Sequence, residues 1–248
     1  MSDFLRVKEI YKSIQGESTW AGLPCVFVRL SGCHLRCSYC DSVYAFTGGD
    51  KMTVDQVVRN VESFTIANPS FSQINGYKAK LPLVEITGGE PLIQAQSLKL
   101  MDSLVEKEYT VLLETSGALP INEINQQVHI IMDIKCPSSG ESEKNLLQNL
   151  ECIGSKDEIK FVCGTLEDLD FVERMIRDYQ LDKRTGILVS WVSPLTSTQK
   201  FSGLKSLPEG VTPISRLELV ETIMSRNLPV RFQLQMHKFI WPADKAGV

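Results

Sequence analysis

The chain has little that would suit it to a membrane, a nucleic-acid backbone or a disulfide-stapled scaffold. No stretch of its 248 residues approaches the roughly 18 apolar residues of a membrane span. Its 26 basic and 30 acidic residues leave a net charge of −4, so there is no cationic excess for neutralising phosphates, and no direct nucleic-acid partner is expected. The opening Met1-Ser2-Asp3-Phe4-Leu5-Arg6 lacks the long apolar run of a secretory leader. An odd seven cysteines without a leader argue against a disulfide framework and for a reducing, cytoplasmic setting. Internal repeats are absent as well. What is present is 43% hydrophobic, enough for a sizeable core in a length that suits one domain or a compact barrel.

The apolar residues alternate between strand-like and helix-like runs. Short Val/Ile/Leu-rich runs at 25–30, 83–87, 110–114, 128–134, 158–162, 187–192 and 230–235 read as strands. Helices are expected from the Thr53-Val54-Asp55-Gln56 capping box through Val61, and over 97–107, 145–153, 167–179 and 215–226. Strands alternating with helices imply a parallel α/β sheet. About six such units, some with short crossovers, predict an incomplete (β/α) barrel, TIM-like but not closed by eight strands. In such folds chemistry gathers at the C-terminal strand ends, and the singular motifs sit there. Cys33 follows the first barrel strand, Gly88-Gly89-Glu90-Pro91 the second, Thr115-Ser116-Gly117 the third and Lys135-Cys136-Pro137 the fourth. The polar stretch 67–82 reads as a surface insertion or loop.

The most informative segment is Cys33-His34-Leu35-Arg36-Cys37-Ser38-Tyr39-Cys40, a C-x3-C-x2-C spacing with no fourth cysteine nearby. Three thiolates suit a four-iron cubane whose fourth iron stays open to a small molecule, whereas four protein thiolates would leave no vacant site. The competing reading is zinc, which prefers four Cys/His ligands in two pairs. It would need His34, whose adjacency to Cys33 strains a tetrahedral chelate. A redox C-x2-C pair would leave Cys33 unexplained.

The loop, with an aromatic just before its last cysteine, resembles that of the radical S-adenosylmethionine (SAM) enzymes. Ordinary turn chemistry also accounts for Gly-Gly-Glu-Pro, but after such a loop it looks like the superfamily's SAM amino-group motif, with Gly89 and Glu90 as contacts. With Ser13-Ile14-Gln15-Gly16-Glu17-Ser18 added, the chain resembles one family from Gln15 to Lys238, 7-carboxy-7-deazaguanine synthase of the queuosine pathway. The resemblance implies a single radical SAM domain over 1–248, with 1–24 a substrate-recognition extension, 25–238 the partial barrel and 239–248 a tail.

It also implies residue roles. Cys33, Cys37 and Cys40 would hold a [4Fe-4S] cluster. Ser42, otherwise read with Asp41 as a helix N-cap, would ligate Mg²⁺, a cation that keeps waters and borrows substrate oxygens. SAM would meet Tyr39, Cys40, Asp41, Gly89, Glu90, Ser116, Lys135, Cys136, Pro137 and Ser138, with Glu114, Thr115, Ser193 and Pro194 as lesser candidates. The substrate, 6-carboxy-5,6,7,8-tetrahydropterin, would meet Ile14, Gln15, Gly16, Glu17, Arg29 and Thr87, with Gln235 and His237 further candidates on a terminal strand. Arg29 in an apolar strand is either one half of a structural ion pair or a fork for the substrate carboxylate; the resemblance favours the fork. Cys25, Cys152 and Cys163 read as core thiols, and His129 as a satisfied core histidine.

The implied reaction begins with one electron passed to SAM, from a low-potential donor such as flavodoxin. A 5′-deoxyadenosyl radical then takes a hydrogen from C6 of the pterin, and the ring contracts to 7-carboxy-7-deazaguanine with loss of ammonia. A homodimer is expected from the family. Two rivals remain at this level, an activating enzyme that makes a glycyl radical on a partner protein and a non-enzymatic zinc-binding interaction module.

Overall fold

The computed structural model describes every residue except 1–2, 66–69, 75, 198, 243–244, 246 and 248. The chain begins with β1 (Leu5–Ile14), β2 (Pro24–Leu30), β3 (Asp50–Met52) and α1 (Val54–Ser63). A hairpin of β4 (Ser70–Ile74) and β5 (Tyr77–Leu81) leads into β6 (Leu83–Gly88) and α2 (Gln96–Glu106). Then come β7 (Val111–Thr115), β8 (His129–Ile134), β9 (Glu158–Cys163), α3 (Leu166–Tyr179), β10 (Gly186–Trp191), α4 (Arg216–Ser225), β11 (Arg231–Gln233) and the single turn α5 (His237–Ile240).

Nine strands form one sheet in the order β11-β10-β9-β8-β7-β6-β2-β1-β3. From β2 through β6 to β11 every pairing is parallel, while β1 runs antiparallel to β2 and β3 to β1. This is the incomplete (β/α) barrel that the strand-helix alternation predicts. No helix is long and apolar enough to cross a membrane among the described residues.

Alternation along the strands separates two cores. Val26, Val28, Leu30, Val84, Ile86, Val111 and Leu113 face outward and pack beneath the helices. Cys25, Phe27, Leu83, Leu112 and Ile131 face the lumen and, with Trp20, fill its floor. Further toward the C-terminal strand ends the lumen turns polar, because the next inward positions are Arg29, Glu85, Thr87, Glu114, Asp133 and Lys160. Helix starts follow their sequence signals: Thr53, Thr165 and Ser215 each cap a helix through a reciprocal capping box.

Several expectations are corrected. The expected helix over 145–153 is a short 3-10 segment, Leu147–Cys152. Within the expected extension 1–24, Leu5–Ile14 is an unforeseen strand of the sheet. Of the expected surface loop 67–82, 67–69 and 75 lie outside the described residues, and the rest is mostly the β4–β5 hairpin. The terminal strand ends at Gln233, and His237–Ile240 turns helical. Cys152 is exposed, so it is no core thiol, whereas Cys25 and Cys163 are buried. His129 is buried with Nδ1 paired to the Lys156 carbonyl at 3.1 Å, as a core histidine should be.

The barrel's open side is bridged by the β1–β2 connection. Ser18 N–H donates to Gln233 Oε1 at 2.7 Å, Thr19 N–H donates to Glu158, and Met236 N–H donates to the Gly16 carbonyl at 2.9 Å. These bonds tie the first connection to β9, β11 and the chain after it. On the other flank the fully buried Asp168 carboxylate of α3 accepts the N–H groups of Ser138, Gly164 and Thr165 at 2.9, 2.8 and 3.1 Å. Hydrogen bonds to a charged acceptor are worth about 1.5–3 kcal/mol each, not additively. Asp168→Ala should therefore lower the unfolding free energy by about 3 kcal/mol, measured by urea denaturation; a loss below about 1 kcal/mol would contradict this account.

Candidate active site

A cavity of about 510 Å³ opens at the C-terminal ends of the parallel strands, and most of the expected site residues line it. Two glycines set its shape. Gly88 has φ +147°, and a Cβ there would lie 2.1 Å from the Leu30 carbonyl oxygen. A Cβ on Gly89 would lie 2.2 Å from the Gly32 carbonyl oxygen and 2.7 Å from Cys33 Cβ. The end of β6 thus passes directly against the start of the cysteine loop, and Glu90 N–H donates to the Gly32 carbonyl at 2.9 Å.

Cys33, Cys37 and Cys40 all line this cavity as free thiols, while His34 is exposed and lies outside it. Among the described residues no three Cys, His, Asp or Glu side chains are gathered tightly enough to hold a single metal ion. Zinc needs its ligands around one point; a cubane takes a thiolate at each of three separate corners. The donor set, three thiols on one wall without a fourth, fits the cubane. Burial raises the Cys33 and Cys37 thiols and pushes Cys40 up to about 12, so a cationic group is required to hold them as thiolates. The loop rests on the turn after β8, where Ser38 donates through N–H to Ser139 O at 3.0 Å and through Oγ to Ser138 O at 2.6 Å.

Beside the cysteines, Ser42 Oγ donates to Asp41 Oδ1 at 2.9 Å, and Lys238 Nζ sits 2.6 Å from Asp41 Oδ2. Burial would raise the Asp41 carboxyl, but Lys238 and the Ser42 bond hold it well below the usual range. Lys135 pairs with Asp133 at 2.8 Å and lines the same wall. Burial opposes its charge; Asp133 outweighs this and raises it.

Further along the lumen, Ile14, Gln15, Gly16, Glu17, Arg29, Thr87, Gly89, Ser116, Tyr39, Glu114, Thr115, Ser193, Gln235 and His237 are all lining residues. Glu90, Cys136, Pro137, Ser138 and Pro194 are not. Glu90 is fully buried and accepts from Thr115 Oγ1 and Ser116 N–H, both at 2.8 Å, and from Leu92 N–H at 3.1 Å, so it anchors the neighbouring strand end. Cys136 lies in the core with its sulfur 4.0 Å from that of Cys163. Ser138 and Ser139 support the cysteine loop through their carbonyls, which accept from Ser38. Arg29 has both alternatives in view: its Nε lies 2.8 Å from Glu9 and an Nη donates to Tyr11 at 2.9 Å, yet it lines the cavity.

Sequence reasoning missed Glu85, Asp133 and Lys160. Their signal was available: each is a charged residue flanked on both sides by apolar residues within a strand. Lys160 Nζ meets Glu114 and, at 3.1 Å, Glu17. Thr87 Oγ1 donates to Glu114 Oε2 at 3.1 Å. Burial would raise Glu114, but Lys160 and Thr87 lower it. Glu85, 2% exposed, accepts from Gln15 Nε2 and is raised well above 4.5, by burial first and by the Glu114 charge second.

No family model matches the chain. It is 37% identical to the 7-carboxy-7-deazaguanine synthase of Koribacter versatilis (strain Ellin345), over 98% of this chain and all of that protein. It is 36% identical to the protein of the same name from Chlorobaculum tepidum, over 98% and 97% of the two chains. The crystal structure of QueE from Escherichia coli superposes with a TM-score of 0.66 at 21% identity, covering 94% of this chain and 95% of that one.

Two outcomes follow from the geometry. Gly89→Ala should cut the iron retained after anaerobic reconstitution several-fold while far-ultraviolet circular dichroism stays near wild type; full retention would contradict the close-approach argument. For Glu85 the folded protein binds a proton that the unfolded chain releases above pH 4.5, so this carboxyl costs stability increasingly as pH rises. Glu85→Gln should raise the urea midpoint of the metal-free protein at pH 8, with the gain shrinking toward pH 4.5; a gain independent of pH would refute the assignment. With full-length relatives above 30% identity, the chain belongs to the 7-carboxy-7-deazaguanine synthase family.

Proposed function

We propose that the cavity converts 6-carboxy-5,6,7,8-tetrahydropterin to 7-carboxy-7-deazaguanine and ammonia, with a [4Fe-4S] cluster, SAM and Mg²⁺ as cofactors. The observation that carries this reading is that one cavity brings together the three loop thiols, the Gly88-Gly89 approach and the Gln15–Glu17 segment. When bound, cluster and SAM supply one-electron chemistry that abstracts a hydrogen atom, chemistry no side chain of this chain provides.

The chain's own residues would bind, orient and exclude water. Lys135 offers a cation to the SAM carboxylate, and Gly89 brings backbone within reach of its ammonium group. Ser116, whose N–H is fixed on Glu90, faces the nucleoside. Arg29, gripped by Glu9 and Tyr11, presents the rest of its guanidinium to the substrate carboxylate. Ser42 and Asp41 put hydroxyl and carboxylate oxygens beside that carboxylate, the donor type magnesium prefers. Glu17 and Thr87 face the pterin ring. The segment after β11 covers the cavity through Gln235 on Glu17 at 3.0 Å and Lys238 on Asp41. A single domain, a cytoplasmic location, a homodimeric state and a low-potential donor such as flavodoxin complete the proposal.

Anaerobically reconstituted protein given SAM, Mg²⁺, a strong reductant and the carboxytetrahydropterin should yield 7-carboxy-7-deazaguanine by mass spectrometry, and Ala at Cys33, Cys37 or Cys40 should abolish it. Reductive SAM cleavage without product would leave the cofactor assignment standing and sink the substrate. Ser42→Ala should lower magnesium-stimulated turnover more than SAM cleavage; equal loss of both would remove the metal role.

A further inference from the structure

Besides Asp41 beside the cysteines, four acids, Glu17, Glu85, Glu114 and Asp133, line the cavity, and their oxygens are not equally engaged. Glu17 gives one oxygen to Gln235 and the other to Lys160. Glu114 gives one to Thr87 and the other to Lys160. Asp133 Oδ2 pairs with Lys135, and its Oδ1 is sealed inside the protein.

Glu85 differs. Its Oε2 accepts from Gln15 Nε2, and Gln15 Oε1 in turn accepts Glu17 N–H at 2.8 Å. Both ends of the Gln15 amide are therefore occupied within the protein, and the side chain expected to read the ligand is locked. Among the described residues Glu85 Oε1 has no hydrogen-bond partner, and it is not among the polar atoms sealed inside the protein, so it opens on the cavity that Glu85 lines. The residues opposite Glu85 on either side are Phe27 and Leu112, both apolar. An open carboxyl oxygen between apolar flanks suits the polar edge of a flat ring. A nearly buried carboxyl with an unsatisfied oxygen is otherwise costly to keep.

Resting on the pterin reading above, we propose that Glu85 determines specificity by pairing with the 2-amino-pyrimidinone edge of the substrate, with Gln15 as the positioning residue that aims it. A carboxyl offers a lone pair to the exocyclic amino N–H and, when protonated, an O–H to the adjacent ring nitrogen. A 2-oxo ring lacks that amino donor and sets an acceptor against the carboxyl.

The test titrates the reconstituted enzyme, with SAM bound, with the fluorescent aromatic analogue 6-carboxypterin and with 6-carboxylumazine, in which oxygen replaces the 2-amino group. Wild type should prefer the pterin by about tenfold or more, the scale of one hydrogen bond to a charged or strongly polar group. Glu85→Gln should bring that ratio down about tenfold, since its amide also donates to the 2-oxo group. Glu85→Asp, which withdraws the oxygen by one methylene, should do the same, and gives the answer should the amide variant fail to fold; iron content and circular dichroism report folding. An unchanged ratio in both variants overturns the proposal, as does a collapse of the ratio in Gln15→Ala alone. If wild type discriminates between the analogues but forms no 7-carboxy-7-deazaguanine, the reaction assignment fails and the Glu85 reading stands. If it binds neither analogue, both fall.

Discussion

One buried ammonium holds the site together. Lys160, 4% exposed on β9, reaches Glu17 of the first connection and Glu114 of β7, with Asp133 of β8 at 3.9 Å. Burial disfavours its charge, and Glu114, Glu17 and Asp133 more than restore it. Removing one partner of such a group strands the others in a medium of low dielectric, at roughly 3–5 kcal/mol. The arrangement is therefore all or nothing, and it fixes three separate pieces of chain in one register. Glu17 can only meet Lys160 if the first connection crosses the open side of the barrel, which is what its bonds to Gln233, Glu158 and Met236 accomplish.

The second constraint is steric. Glycine at 88 and 89 lets β6 end against the cysteine loop, and that contact puts the cysteine loop and the Gln15–Glu17 segment around one space. Glu90 matters to it indirectly. Its carboxylate, fully buried, fixes Thr115 and Ser116 at the next strand end, so three consecutive barrel units are locked together before any ligand arrives. A preformed rim of this kind lowers the ordering cost of binding.

Much of this was legible in the sequence, and the limits have physical causes. Short runs rich in Val, Ile and Leu marked the barrel strands to within a residue or two, and the capping box at Thr53 marked a helix start. β1 escaped notice because Leu5–Ile14 mixes Lys, Glu and Tyr with its apolar residues; it is stabilised by pairing on both edges, a tertiary effect. The β4–β5 hairpin escaped for the same reason, its polar composition hiding a register set by its partner strand. The cysteine loop and the two glycines were readable because their chemistry is local. Cys136, Pro137 and Ser138 were expected at the site from the resemblance of their segment, yet only Lys135 of that segment lines the cavity. Lys160 and its partners Glu17 and Glu114 were invisible as a cluster, since they lie 143 and 46 positions apart in the chain.

The charge balance of the lumen bears on what it can bind. Arg29 is matched by Glu9, Lys135 by Asp133 and Lys238 by Asp41, each at 2.8 Å or less. Lys160 is shared between Glu17 and Glu114, so these five acids exceed the four bases by one, and a charged Glu85 would make the excess two. Glu85 is raised, by burial first and by the charge of Glu114 second, which keeps that excess down. A neutral acid relieves the repulsion without sacrificing hydrogen bonding, and it leaves the lumen rich in acceptors but short of unmatched cations. Such a cavity favours a neutral, donor-bearing ring deep inside and leaves a ligand's own carboxylate for the rim, where Arg29 and the oxygen donors around Ser42 stand. The charge pattern of the lumen is thus set by which strand positions carry acids and bases, and by which of those groups a partner balances.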